Sequence, residues 1–119
     1  MSIERNTNFG NINVSNEAIA ALVGGIVSEC YGVVGMASQK LLKDGLAELL
    51  GQENYARGVE VTKTDNSLQI DLYIMISYGI RVSQVVSELQ KKVKYELEKS
   101  LDLDITAVNV YVQGVKVVD

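Results

Sequence analysis

The sequence predicts an α+β fold: two layers, with a mixed β-sheet carrying its helices on one face. Three observations predict it. Leu68, Ile70, Leu72, Ile74 and Ile76 fall at every second position of one run, which in a pleated strand sends all of them to one face. Val82, Val85, Val86, Leu89, Val93, Leu97 and Leu101 recur at helical spacing, so an amphipathic helix of about five turns follows that strand. Val108, Val110 and Val112 then alternate with Asn109, Tyr111 and Gln113 in a further strand. A sheet with one apolar face must bury it, and helices packed on that side are the economical cover. The expected order of elements is β-α-β-α-β-β-α-β.

A chain of 119 residues is long enough for one domain that buries roughly 65% of its unfolded surface. We expect a flexible N-terminal tail over 1–8, which is polar and without period, and a single domain over 9–119. The net charge of −4 argues against general nucleic-acid affinity, because a phosphate backbone is neutralised by a surplus of Lys and Arg. With one cysteine, Cys30, an internal disulfide is excluded. The chain has no histidine, so it lacks the commonest general base and the commonest metal ligand. Neither a signal-type apolar region at the start nor a run of about 20 apolar residues occurs, so the expected location is cytoplasmic, without direct membrane insertion.

Taken in order, the first strand spans Asn11 to Val14, and Ser15 is a good N-cap for a helix in which Ile19, Leu22, Val23, Ile26, Val27 and Cys30 form one stripe. Gly32 is placed to end it. Gly24 and Gly25 interrupt its interior. Their spacing fits no phosphate loop, so they point to close backbone approach by a neighbouring element. A short strand over Gly32 to Ala37 precedes a second amphipathic helix opened by Ser38, with Leu41, Leu42, Leu46, Leu49 and Leu50 on one side and Gly51 as its stop. Gln52 to Arg57 reads as a polar link. Val59 and Val61 then alternate with polar residues, and Thr64-Asp65-Asn66-Ser67 turns that strand into the central one as a hairpin. Gly79 frees the chain to reverse into the long helix, whose lysines Lys91, Lys92, Lys94 and Lys99 are interleaved with Glu88, Glu96 and Glu98 as on a solvated face. In the last strand the apolar parity changes beyond Gly114, which predicts a bulge or bend there.

The candidate site follows from this layout by elimination. No metal-ligand spacing and no pairing of nucleophile with base occurs, so no catalytic, cofactor or metal residues are assigned. Cys30, the single conceivable nucleophile, lies on an apolar stripe, where a buried structural thiol is expected. The face of the sheet away from the helices shows Gln69, Asp71, Tyr73, Met75 and Ser77 beside Asn109, Tyr111 and Gln113. Tyr73, Met75 and Tyr111 among polar neighbours suit a protein contact. Leu46, Leu49 and Leu50 of the second helix are further candidates, for contact with the core or with a partner.

Several blocks of the chain carry a family resemblance. Ile12-Asn13-Val14-Ser15-Asn16-Glu17-Ala18-Ile19-Ala20-Ala21-Leu22 and Gly32-Val33-Val34-Gly35-Met36 resemble the opening of the bacterial alkaline shock and general stress protein family. Gly45-Leu46-Ala47-Glu48-Leu49-Leu50-Gly51, Gly58-Val59-Glu60-Val61, Ile70-Asp71-Leu72-Tyr73-Ile74 and Val108-Asn109-Val110-Tyr111-Val112-Gln113-Gly114-Val115 resemble its later blocks, in order. The likeness runs from about Phe9 to Val117 and is of the short, single-domain type. It implies a non-enzymatic cytoplasmic protein of cell-envelope stress homeostasis, without cofactors. In some members such a protein self-associates or is held at the membrane by a separate anchor protein. The leading expectation is therefore an adaptor or scaffold acting through protein partners, and the alternative is an accessory subunit of a lipid-metabolite kinase. A pull-down separates the two.

Overall fold

The computed structural model describes residues 2–7, 10–37, 49–50, 52–64, 67–101 and 104–117. Its elements are β1 (Ser2–Thr7), β2 (Gly10–Ser15), α1 (Asn16–Ser28), β3 (Val33–Ala37), β4 (Leu49–Leu50), a 3-10 helix (Gln52–Gly58), β5 (Val59–Thr64), β6 (Ser67–Ser77), α2 (Val82–Leu101) and β7 (Asp104–Lys116). The α+β class and the mixed sheet are as the sequence predicts.

Strand β6 is the axis of a five-stranded sheet. Along one edge it pairs in parallel with β7 over its whole length, Ser67↔Asp104 to Ser77↔Lys116. The opposite edge is shared: its first half pairs antiparallel with β5, Val59↔Leu72 to Thr64↔Ser67, and its second half with β3, Val33↔Ile76 to Met36↔Ile74. β4 adds to β3 beyond that. The β5–β6 hairpin closes as expected, with Ser67 Oγ donating to Thr64 O at 2.7 Å. Because β6 and β7 are neighbours joined through α2, they form the parallel strand-helix-strand unit that the periodicity suggested.

The five apolar side chains of β6 are almost wholly buried, Leu68, Ile70, Leu72 and Ile74 at 0% and Ile76 at 1% exposure. Against them pack Ile19, Val23 and Val27 of α1 and Val85, Leu89, Val93 and Leu97 of α2. Each such side chain contributes roughly 1.5–3 kcal/mol on burial, before conformational entropy is set against it. Two residues expected on these stripes lie outward: Leu22 is 45% and Val82 43% exposed. Leu22 lies to one side of the buried stripe of α1, and Val82 is the first residue of α2.

Four local outcomes refine the sequence reading. Residues 2–7, expected as a loose tail, are strand β1, registered against β2 from Ser2↔Ser15 to Thr7↔Gly10. Their sequence, Ser2-Ile3-Glu4-Arg5-Asn6-Thr7, has no apolar alternation from which a strand could be read. Ser15 caps α1 as expected, its Oγ accepting from the Ala18 N–H at 3.1 Å. The helix nevertheless ends at Ser28 rather than running to Gly32, and Gly32, at φ +90°, turns the chain into β3 instead. The expected polar link is a 3-10 helix whose Tyr55 is only 4% exposed.

The two glycines of α1 separate sharply. A Cβ on Gly24 would come within 3.0 Å of the Ala56 backbone nitrogen, so Gly24 is where the 3-10 helix approaches the helix backbone. A Cβ on Gly25 would meet nothing within 4 Å. Close approach thus accounts for the first glycine and leaves the second without a packing reason.

The second helix, expected from Ser38, falls over 38–48, outside the described residues. Its last two leucines are described: Leu49 and Leu50 form β4, paired with Ala37 and Met36, rather than a closing helical turn. A helix over Leu49 and Leu50 is therefore corrected to an edge strand. Their lack of a polar partner face allows either state, and pairing with β3 decides it.

Candidate functional site

The outer face of the sheet is built by strand parity and register. Residues 67, 69, 71, 73, 75 and 77 of β6 point away from the helices, and Asp71↔Asn109 and Tyr73↔Tyr111 are cross-strand partners. The two tyrosine rings stack with centroids 5.0 Å apart and planes 14° from parallel. Beside them, Asn109 Nδ2 donates to Asp71 Oδ1 at 2.9 Å, and Gln69 Nε2 to the same oxygen at 3.4 Å. Glu60 lies opposite Asp71 on β5.

Strand β7 has two more residues than β6, 13 against 11. Both are bulges. The register skips Thr106 and again Gln113, the second immediately before Gly114, where the parity change predicts it. This bulge brings Gly114 opposite Met75, and a Cβ there would lie 2.7 Å from Met75 Cε. The methionine thus lies over bare backbone, which lets it run flat along the face.

Of the contact residues assigned from sequence, Tyr73, Met75 and Tyr111 are brought together, but they are not equally open. Tyr111 is 44% exposed and Tyr73 only 8%. Burial, with Glu60, Asp71 and Tyr111 adding, pushes the Tyr73 phenol above the ordinary tyrosine range. Leu46 lies outside the described residues, and Leu49 and Leu50 belong to β4. The Asp71–Asn109 pair was not singled out. A signal for it exists in the repeated polar-apolar-Tyr triplet, Asp71-Leu72-Tyr73 and Asn109-Val110-Tyr111, which aligns the two strands in their true register.

Cys30 is half-buried at the end of α1, its thiol donating to Ile26 O at 3.4 Å. It borders a small cleft of about 140 Å³ with Glu29, Tyr31, Val85, Glu88, Leu89 and Lys92. Burial pushes the thiol pKa up, and the opposing pull of Lys92 is the lesser effect. A nucleophile needs the reverse, a thiol drawn down to thiolate. Among the described residues no group of His, Cys, Asp and Glu gathers as a metal site would require, and no helix is long and apolar enough to cross a membrane.

Comparison with known proteins places the chain in a family. Residues 4–117 match the ASP23 family, whose description is a cell envelope-related function. The chain belongs to this alkaline shock protein family. It is 49% identical over 117 residues to the uncharacterized protein YloU of Bacillus subtilis, a match covering 98% of each chain. It is 47% identical over 118 residues to the uncharacterized protein Spy1614 of Streptococcus pyogenes, covering 99% of this chain and 98% of the relative. A second Bacillus subtilis protein, YqhY, is 26% identical over 110 residues, covering 92% of this chain and 80% of its own. No solved structure matches. Nothing in these likenesses points to catalysis.

Proposed function

We propose that this chain is a non-enzymatic, cytoplasmic adaptor in bacterial cell-envelope homeostasis, working through protein contacts made on the outer face of its sheet. The observation that carries this reading is the stack of Tyr73 on Tyr111, one ring buried as a support and the other 44% exposed. An aromatic ring fixed in orientation by its neighbour loses little entropy when a partner covers it, which is what makes tyrosines effective contact anchors. Met75, laid over Gly114, extends the same surface with an adaptable side chain. The partner is a protein of the envelope machinery, a membrane anchor or a second copy of the chain.

The test uses native pull-down with mass spectrometry from the source cell, comparing the parent with Tyr111→Glu and Tyr111→Phe. Tyr111→Glu is expected to lose the partner while Tyr111→Phe keeps it; Tyr111→Glu, which forfeits the ring stack, should unfold somewhat below the parent, and both should be folded at the temperature of the pull-down. Retention of every parental contact by a folded Tyr111→Glu protein overturns the assignment.

A further inference from the structure

Where α2 runs beside the rim of the sheet lies a groove that shares Asn109 alone with the outer-face site. Its volume is about 360 Å³, and Gln90, Lys91 and Lys94 of α2 face Ile105 to Asn109 of β7 across it. β7 pairs with β6 and, among the described residues, with no strand on its outer edge. Instead, Gln90 Nε2 donates to the Val108 carbonyl at 2.9 Å, at a place where a further strand would supply an N–H. An outward hydrogen-bonding group on β7 is thus present and already satisfied by a side chain that can be exchanged for backbone.

Lys91 and Lys94 are three residues apart on α2, so they stand on one side of the helix, and both are exposed. Neither has an ion pair among the described residues. Glu98, one turn on from Lys94, accepts from the Ile105 N–H at 3.3 Å where the groove ends, and Glu88 stands one turn before Lys91. In a chain whose net charge is −4, two lysines beside an unpaired strand edge form a local positive site. A second copy of β7 matches it poorly, since the strand carries one acid, Asp104, at its very start.

We infer that the groove between α2 and β7 takes an extended acidic peptide segment of a partner protein, which adds to β7 as a strand and sets carboxylates against Lys91 and Lys94. Backbone pairing supplies affinity and the lysines supply the choice of sequence. The groove adjoins the tyrosine face and shares Asn109 with it, so the lysine variants, which leave the outer face untouched, test this inference apart from the Tyr111 assignment.

Fluorescence anisotropy of the full-length protein with a labelled peptide of about ten residues alternating valine and glutamate tests this, with a valine-lysine peptide as control. The glutamate peptide is expected to bind saturably and more weakly as salt rises. Binding should fall about tenfold or more in Lys91→Glu/Lys94→Glu and by a smaller factor in Lys91→Gln/Lys94→Gln. Amides near Val108 should gain exchange protection on binding. Equal affinity for the two peptides, indifference to both lysine variants when these remain folded, or no binding overturns the inference. So does a dimer of the protein alone that protects the same amides, because the occupant is then a second copy.

Discussion

The two faces of β6 are made from alternate residues of the same eleven-residue strand, yet they are stabilised in opposite ways. On the inner face five apolar side chains vanish beneath two helices, and no polar atom is needed to fix them. The outer face is held by geometry: a ring stack, an Asp71–Asn109 hydrogen bond and a methionine fitted over a glycine. Burial without direction makes a core, whereas directional contacts at partial exposure make a surface that keeps its shape while remaining available. Function is therefore to be sought on the outer face, where Tyr111 is held in place yet 44% exposed.

The contrast can be broken first at its strongest point. Leu72→Ala deletes a fully buried side chain between Val59 and Val110 and should cost about 2–5 kcal/mol in chemical denaturation, with partner contacts of the surviving folded protein unaltered. A cost below 1 kcal/mol, about what a surface change gives, would mean that the inner face is not the core. The next largest effect belongs to the helix layer. Gly24→Ala should destabilise by about 1–3 kcal/mol, because backbone of the 3-10 helix must give way. Gly25→Ala, one residue on and facing open space, should stabilise by up to about 1 kcal/mol. Equal signs for the two substitutions would contradict the packing described.

On the outer face the effects shrink. Tyr111→Ser removes the stacked partner of Tyr73 and should cost about 0.5–1.5 kcal/mol from the ring interaction, far less than Leu72→Ala. The smallest effect is a slope. The Tyr73 phenol pKa is raised on folding, so its contribution to stability is fully present below the unfolded value of about 10 and is lost as pH rises through the folded value. Tyr73→Phe should therefore flatten the alkaline decline of unfolding free energy, while Leu72→Ala lowers stability at every pH and leaves that slope alone. Parallel pH profiles of parent and Tyr73→Phe would refute the assignment. Tyr55, whose phenol is also raised by burial, keeps part of the slope in both.

Most of the sheet and both long helices were legible because period alone identifies an element whose two sides meet different solvents. The same reasoning failed where period is absent. Ser2 to Thr7 pairs through its backbone, and Tyr55 is a single buried aromatic in a polar stretch with no repeat to mark it. At the candidate site, alternation placed Tyr73 and Tyr111 on the correct face but could not show that one is buried and the other open, since that depends on register. The bulge at Gln113 was legible from the glycine and the change of parity. The one at Thr106 was equally encoded, in the step from Ile105 to Val108, but no glycine drew attention to it.

The parallel pairing of β6 with β7 also sets an order of events in time. Partners in that ladder lie 37 to 39 positions apart, from Ser67↔Asp104 to Ser77↔Lys116, whereas the β5–β6 hairpin closes across Thr64 and Ser67. Loop closure over the longer span must be met before its contacts give any return, so the hairpin forms early and β7 docks late. In pulsed hydrogen exchange during refolding, amides of β5 should gain protection ahead of those of β7, and simultaneous protection would show that the strands condense together. Until β7 and β3 arrive, both across long spans, the most hydrophobic strand of the molecule has bare edge on either side, and that interval is when aggregation threatens the chain most.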